Sequence, residues 1–355
     1  MNRIDLVMAG VRSCTGSCVY CSNISIGNVN LKTKLDNVAN KTYDEVLFDF
    51  EKLENRIVSH PTFKNNRFDV SIWGADPLSS FYALQDTVDF INYIAYKYKK
   101  TIKISTSTNG VPICDDGIVK YLIDNNIGIQ LSHDGVAEEL RLPIDPLKEY
   151  NDAFKEIAEK SWVFINCVAH AYNTDFKANM EYFKKWAPFC KNIRFSKVMS
   201  GVNYSSAINK TGFKNGKYYE EFKGKPFGDF SIPEEEIDEY LKNILNLPSP
   251  FYTNLTRINP NNKKSHSCQK FIKDEIKEIF HIDTLGNYTT CNLLDSQHQP
   301  GNPTGEYQFP NECKTCKWKE SPVCTECIIS EPEYKIHDHC VFLKKLNEAL
   351  SNRNK

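Results

Sequence analysis

The chain has no long apolar run and no surplus of either charge, and both absences narrow what it does. No stretch of its 355 residues is long and apolar enough to span a bilayer; even Phe251–Leu255 is interrupted by Thr253 and Asn254. The opening MNRIDLVMAGVRSC holds no long apolar core before a processing site, so no secretory leader is expected and a cytoplasmic location is. Lys and Arg number 44 against 45 Asp and Glu, a net charge of −1 that supplies no global basic field for nucleic acid. Local basic runs at Lys97, Lys99, Lys100 and Lys103, and at Lys263 and Lys264, read as solvated surface. Low-complexity segments and repeated domains are absent, and oligomeric state leaves no mark.

Cysteine, by contrast, is abundant: 13 residues. A chain of this length in a reducing compartment has no need of a disulfide scaffold. Ten of the 13 fall into two groups, at 14–21 and 268–340. The remaining three, Cys114, Cys167 and Cys190, sit among apolar residues and are expected to be buried small hydrophobes. Grouped thiols without a secretion signal point to metal or iron–sulfur ligation.

From Ile4 to Lys197 short apolar runs alternate with amphipathic ones. Strands are expected at Ile4–Val11, Phe68–Trp73, Ile102–Thr106, Ile127–Leu131, Val163–Val168 and Ile193–Lys197. Between them the pattern predicts helices at Tyr43–Val58, Tyr82–Tyr96, Gly117–Asp124, Pro146–Lys160 and Asn179–Trp186. Six such units favour an α/β fold, because parallel strands need crossovers. A partial (β/α)6 TIM-like barrel and an open doubly wound sheet both fit that periodicity. Residues 199–232, rich in Gly, Ser, Asn, Lys and Tyr, read as a substrate-facing excursion in which Tyr204, Lys210 and Tyr218 are candidates by position alone. A helix over Ile232–Leu245, opened by Pro233 and three glutamates, bridges to a cysteine-rich module, and Phe342–Leu350 is a closing helix. The expected divisions are a barrel with its substrate-facing loop (1–232), a bridging helix and linker (233–265), a cysteine-rich domain (266–345) and a tail (346–355).

The first group reads Cys14-Thr-Gly-Ser-Cys18-Val-Tyr-Cys21 and follows the first strand directly. Three thiolates on one compact loop can bind three irons of a [4Fe–4S] cube and leave the fourth for an external chelator. Zinc would need a fourth ligand, and neither His nor Cys supplies one nearby. The strand's carboxyl end is where α/β barrels place their chemistry. This spacing, with Tyr20 before the last cysteine, resembles the signature of the radical S-adenosylmethionine (SAM) enzymes. The resemblance implies that Cys14, Cys18 and Cys21 hold a cluster whose open iron takes SAM. Reductive cleavage then gives methionine and a 5′-deoxyadenosyl radical that abstracts a substrate hydrogen. Gly74-Ala75-Asp76-Pro77 resembles the family's Gly-Gly-Glu-Pro segment, whose backbone receives the SAM amino group, with Ala75 and Asp76 as departures. Ser107-Thr108-Asn109-Gly110 resembles its Thr-Asn-Gly turn, and Ser132-His133-Asp134-Gly135 its Ser-x-Asp-Gly segment. By the same resemblance Ser132 belongs near the SAM ribose and Arg141 near its carboxylate, which suits a guanidinium's paired donors.

The second group, Cys268, Cys291, Cys313, Cys316, Cys324, Cys327 and Cys340, has more thiols than one zinc ion needs, although two zinc sites remain open. Its order, with Gly286 ahead of Cys291, resembles the SPASM extension of radical SAM peptide maturases. That resemblance implies two auxiliary [4Fe–4S] clusters, three in all. Cys313, Cys316, Cys324 and Cys340 serve one; Cys268, Cys291 and Cys327 serve the other, with His266 a candidate fourth ligand. Relatives that make formylglycine in sulfatases carry an Asp after the cysteine matching Cys291. Here Asn292 stands there, and an amide is no base near neutral pH. Asp283 and Asp295 are the nearby acids, more simply read as solvated or capping residues. The resemblance thus implies oxidation or crosslinking of a peptide or protein, with flavodoxin or ferredoxin as electron donor. A small-molecule radical SAM enzyme, one that modifies nucleic acid, and a non-enzymatic metal-binding module are the alternatives.

Overall fold

The computed structural model describes residues 3–10, 14–16, 18, 46–197, 232–253, 279–287 and 336–353. Within them lie eight strands: β1 Arg3–Val7, β2 Arg67–Trp73, β3 Thr101–Thr108, β4 Gly128–Ser132, β5 Val163–Ala169, β6 Ile193–Lys197, β7 Phe251–Tyr252 and β8 Ile279–Asp283. They form one sheet in the order β7-β6-β5-β4-β3-β2-β1-β8, and every pairing is parallel. From β1 to β7 the order never reverses. Right-handed crossovers of constant direction put every connecting helix on the same face, whereas a doubly wound sheet needs a switch point. The sheet therefore has barrel-like order, and it is open between β7 and β8.

The six expected strands are the central six. Two more extend the sheet at its edges. Neither carried a usable signal, since β7 has two residues and β8 mates with β1, some 275 positions earlier in the chain.

The helices are α1 Phe50–Ser59, α2 Phe81–Lys97, α3 Asp116–Asp124, α4 Pro146–Glu149, α5 Asn151–Lys160, α6 Phe176–Trp186, α7 Ile237–Leu245 and α8 Ile336–Arg353. The helix expected over Tyr43–Val58 starts only at Phe50, where Asp49 accepts from Lys52 N at 3.0 Å and caps it. Ahead of the cap the backbone is engaged elsewhere: Leu47 N donates to Ala9 O and Asp49 N to Thr284 O. The helix expected over Pro146–Lys160 is two, broken at Tyr150 (φ −118°). There the Asn151 side-chain amide takes the Leu147 carbonyl that a continuous helix would give to a backbone N–H. The closing helix is longer than Phe342–Leu350 and packs on α7 through Tyr240 and Phe342, centroids 5.9 Å apart.

Strand alternation divides the sheet into two unlike faces. Ile4, Leu6, Val70, Ile72, Ile104, Ile129, Leu131, Ile165, Cys167, Ile193 and Phe195 are buried on one, against Leu53, Leu84, Val88, Leu122, Phe154 and Phe183 of the helices. The other carries Asp5, Ser71, Ser105, Gln130, Asn166, Arg194, Ser196 and His281, with Val7, Trp73, Phe164 and Val168 among them. Parallel strands covered on both faces read as continuous hydrophobic runs, and barrel interiors are usually filled by branched apolar residues. This sheet has a polar lining instead. Ser71 and Ser105 hydroxyls lie 2.9 Å apart, Gln130 donates to Ser71 at 3.4 Å, and Asn166 Oδ1 accepts from both Arg194 Nε and Ser196 Oγ at 2.7 Å. A wholly buried Asp5 meets Arg3 Nε at 2.7 Å and His281 Nδ1 at 3.3 Å.

Candidate active site at the carboxyl ends of the strands

The loops leaving β1 to β5 converge at one end of the sheet. Cys14 and Cys18, both half-buried, follow β1. The Cys14 sulfur is approached by two donors: Gly16 N at 3.3 Å and Asn109 Nδ2 at 3.6 Å. Asn109 follows β3 and is itself anchored. Its Nδ2 donates to Thr15 Oγ1 at 3.0 Å and its Oδ1 accepts from Val111 N at 2.9 Å. A Cβ on Gly16 would lie 3.2 Å from Asn109 Nδ2, so the cysteine loop sits tight against the amide.

Asp76, at the end of the β2 loop, is buried and joins two of the segments singled out in the sequence. Its Oδ1 accepts from Leu78 N at 3.2 Å, capping a 3₁₀ turn over Pro77–Ser80; its Oδ2 accepts from Thr108 Oγ1 at 3.2 Å and Asn109 N at 3.0 Å. Burial pushes its carboxyl up to about 6, despite those three donors.

At the end of β4, Ser132 is half-buried, and Asp134 two residues on is fully buried. The Asp134 carboxylate accepts from Val168 N at 3.0 Å and faces His170 Nε2 at 3.7 Å, tying the β4 loop to the end of β5. Arg141 is buried beside the cysteine loop. Its guanidinium lies 3.5 Å from Glu138 Oε2, with the Cys18 sulfur close enough to favour its charge. Burial works against its charge, but Glu138, Cys18 and Asp134 outweigh that and hold it firmly cationic. Glu138, pushed up chiefly by burial, accepts from Asp134 N at 2.6 Å and lies 3.4 Å from His133 Nδ1. His133 Nε2 in turn meets Asp145 Oδ1 at 3.1 Å, and Tyr182 donates to Asp145 Oδ2 at 2.6 Å. Burial pulls Asp145 upward, yet His133, Lys148 and Tyr182 hold it below the usual carboxylate range.

The sequence-derived candidates Cys14, Cys18, Gly74, Ala75, Asp76, Asp134 and Arg141 thus lie on these carboxyl-end loops, and Ser132 is the last residue of β4. Tyr20, Cys21, Cys268, Cys291, Cys313, Cys316, Cys324, Cys327, His266, Asn292, Asp295, Tyr204, Lys210 and Tyr218 lie outside the described residues, as does the side chain of Cys340. Among the described residues no three His, Cys, Asp or Glu side chains gather as metal ligands, and no helix is long and apolar enough to cross a membrane. Asp283 is a turn cap: its Oδ1 accepts from Leu285 N at 3.1 Å and Asn287 N at 2.9 Å. Cys167 and Cys190 are buried, their thiols pushed up by burial (Cys190 to about 12), whereas Cys114 is exposed, contrary to expectation, because it ends a surface 3₁₀ turn. The basic run is spent locally. Lys97 pairs with Glu54 at 2.5 Å, Lys100 lies over Phe63, and Lys103 lies over Trp162.

Three residues with clear positions in the site were not singled out as site residues. Asn109 was read only as part of a turn. His133 was read only as part of its motif, and Glu138 carried one usable signal, its i,i+3 spacing to Arg141.

No protein-family model matches the chain, and no curated sequence does. Solved structures do. Native anSMEcpe with bound AdoMet and Kp18Cys peptide is 17% identical, with a TM-score of 0.61, 99% of this chain and 98% of that one being covered. Native anSMEcpe with bound AdoMet is 16% identical, with the same TM-score and coverage. The complex with AdoMet and Cp18Cys peptide is 17% identical, with a TM-score of 0.59 and coverage of 99% and 97%. At these identities the likeness is one of fold.

Proposed function

We propose that the chain is a radical SAM enzyme with a SPASM-like extension, acting on a peptide or protein substrate. The observation that carries this reading is the seating of Cys14 and Cys18 at the carboxyl end of the sheet, with Asn109 donating to the Cys14 sulfur and the Arg141 cation close to Cys18. An amide donor and a nearby cation both favour the thiolate over the neutral thiol. The fold likeness to anSMEcpe, whose structures hold AdoMet and a peptide, supports the same reading.

With Cys21, the two cysteines would hold a [4Fe–4S] cluster, which with SAM supplies a 5′-deoxyadenosyl radical able to remove a substrate hydrogen atom. The chain's own residues do the positioning. Gly74 and Ala75 would offer backbone to the SAM amino group, while Asp76 fixes their loop to that of Asn109. Ser132 would face the ribose, Asp134 secures its loop, and Arg141, a cation beside Cys18, would meet the SAM carboxylate. The polar sheet face, with Arg194 held by Asn166, suits a hydrogen-bonding substrate such as a peptide. The seven C-terminal cysteines would hold two auxiliary clusters that take up or relay the substrate's electron, so that oxidation or crosslinking is the outcome. Asn292 argues against formylglycine formation.

The test is anaerobic reconstitution followed by dithionite and SAM. The expected results are 5′-deoxyadenosine, about twelve irons per chain, and loss of product when Cys14, Cys18 and Cys21 are all replaced by Ala. Zinc without iron, or product untouched by that replacement, would overturn the reading.

A further inference from the structure

We propose that the Asn109 side chain is a positioning residue for the cluster at Cys14 and raises its reduction potential by donating N–H to the Cys14 sulfur. This rests on the function proposed above. An amide's two ends are assigned by their partners, and here the partners decide: Val111 N, a donor 2.9 Å away, requires Oδ1 on its side and so turns Nδ2 toward Thr15 and Cys14. The orientation is locked further from below, because Asp76 holds both Thr108 Oγ1 and Asn109 N. Asn109 is 5% exposed, so little water competes for the donated hydrogen.

A hydrogen bond to a ligating thiolate withdraws charge from the metal and favours the more negative, reduced state. Gly16 N supplies one such bond through the backbone, which no side-chain substitution removes. Asn109 supplies a second, and that one is open to substitution. The redox step is the uptake of one electron from an external reductant, with no bond made or broken.

Asn109→Asp keeps the acceptor that Val111 N needs and replaces the donor with an oxygen; Asn109→Leu removes both. Each reconstituted full-length variant is titrated with dithionite and followed by electron paramagnetic resonance, tracking the signal that shifts on adding SAM. At the solution potential where the wild-type cluster is half reduced, the ratio of reduced to oxidised cluster should fall about threefold in Asn109→Leu, the weight of one weak hydrogen bond. Asn109→Asp should show a larger fall. Iron content serves as the folding control, and Asn109→Asp carries the test if Asn109→Leu fails it. An unchanged ratio in an iron-replete variant overturns the inference and leaves the enzyme class standing. A wild-type chain without a SAM-shifted cluster signal, or Cys14→Ala retaining that signal, overturns the enzyme class and the inference with it.

Discussion

Asp76 is a carboxylate placed where one is costly, buried among three donors and pushed up to about 6. Its folded-state value exceeds the ordinary 3.8, so between the two the native chain binds the proton more tightly, and stability falls as pH rises through that window. Relative to the Asp76→Asn variant, the wild type should gain about 1.4 kcal/mol on going from pH 8 to pH 5. Parallel urea denaturation of the two proteins measures it, and identical pH slopes would refute the assignment. The sequence showed Asp76 within a segment that resembles a SAM-binding one, but not the strut it forms. Its partners Thr108 and Asn109 lie 32 and 33 positions away, and only the folded β2–β3 pairing brings them together. Cysteine spacing was legible for the opposite reason: Cys14 and Cys18 share one short loop, so chemistry and sequence distance coincide.

Among the elements, the six central strands were legible because each alternates beside a helical run, while β7 has only two residues and β8, as long as β1, stands apart from that pattern and pairs with a strand some 275 positions earlier. What alternation could not give was the fate of the second face. Polar residues at every other position of a parallel sheet are consistent with exposure or with a lined interior; strand order and helix placement decide for an interior surface opposite the helices. Turn geometry was readable in part. Gly110 has φ +91°, and a Cβ there would lie 2.8 Å from Leu131 Cδ1 and 3.1 Å from Phe154 Cζ. Gly110→Ala therefore combines left-handed backbone strain with overpacking and should cost about 2–4 kcal/mol, read as a lowered urea midpoint. Because the turn carries Asn109, the same variant should bind less iron.

At the scale of the molecule, distant segments are stitched together at Thr284. Its hydroxyl donates to Leu47 O at 2.6 Å and accepts from Ala9 N at 2.9 Å, clasping the root of the cysteine loop, the entry to α1 and the turn after β8. Thr284→Val keeps the shape and strands both partners without hydrogen bonds, so a loss of about 2–4 kcal/mol is expected on chemical denaturation. A change within experimental error would show that the clasp is dispensable. The clasp also has a timetable. β1 is bordered by β2, which ends at Trp73, and by β8, which begins at Ile279. At a synthesis rate of roughly 5–20 residues per second, the second border emerges roughly 10–40 s after the first. Until then the strand that leads into Cys14 has one bare edge and Ala9 lacks its Thr284 partner. The ground on which the cysteines stand is thus made well before the strand that completes it, and its second border closes only after some two hundred further residues have followed Trp73.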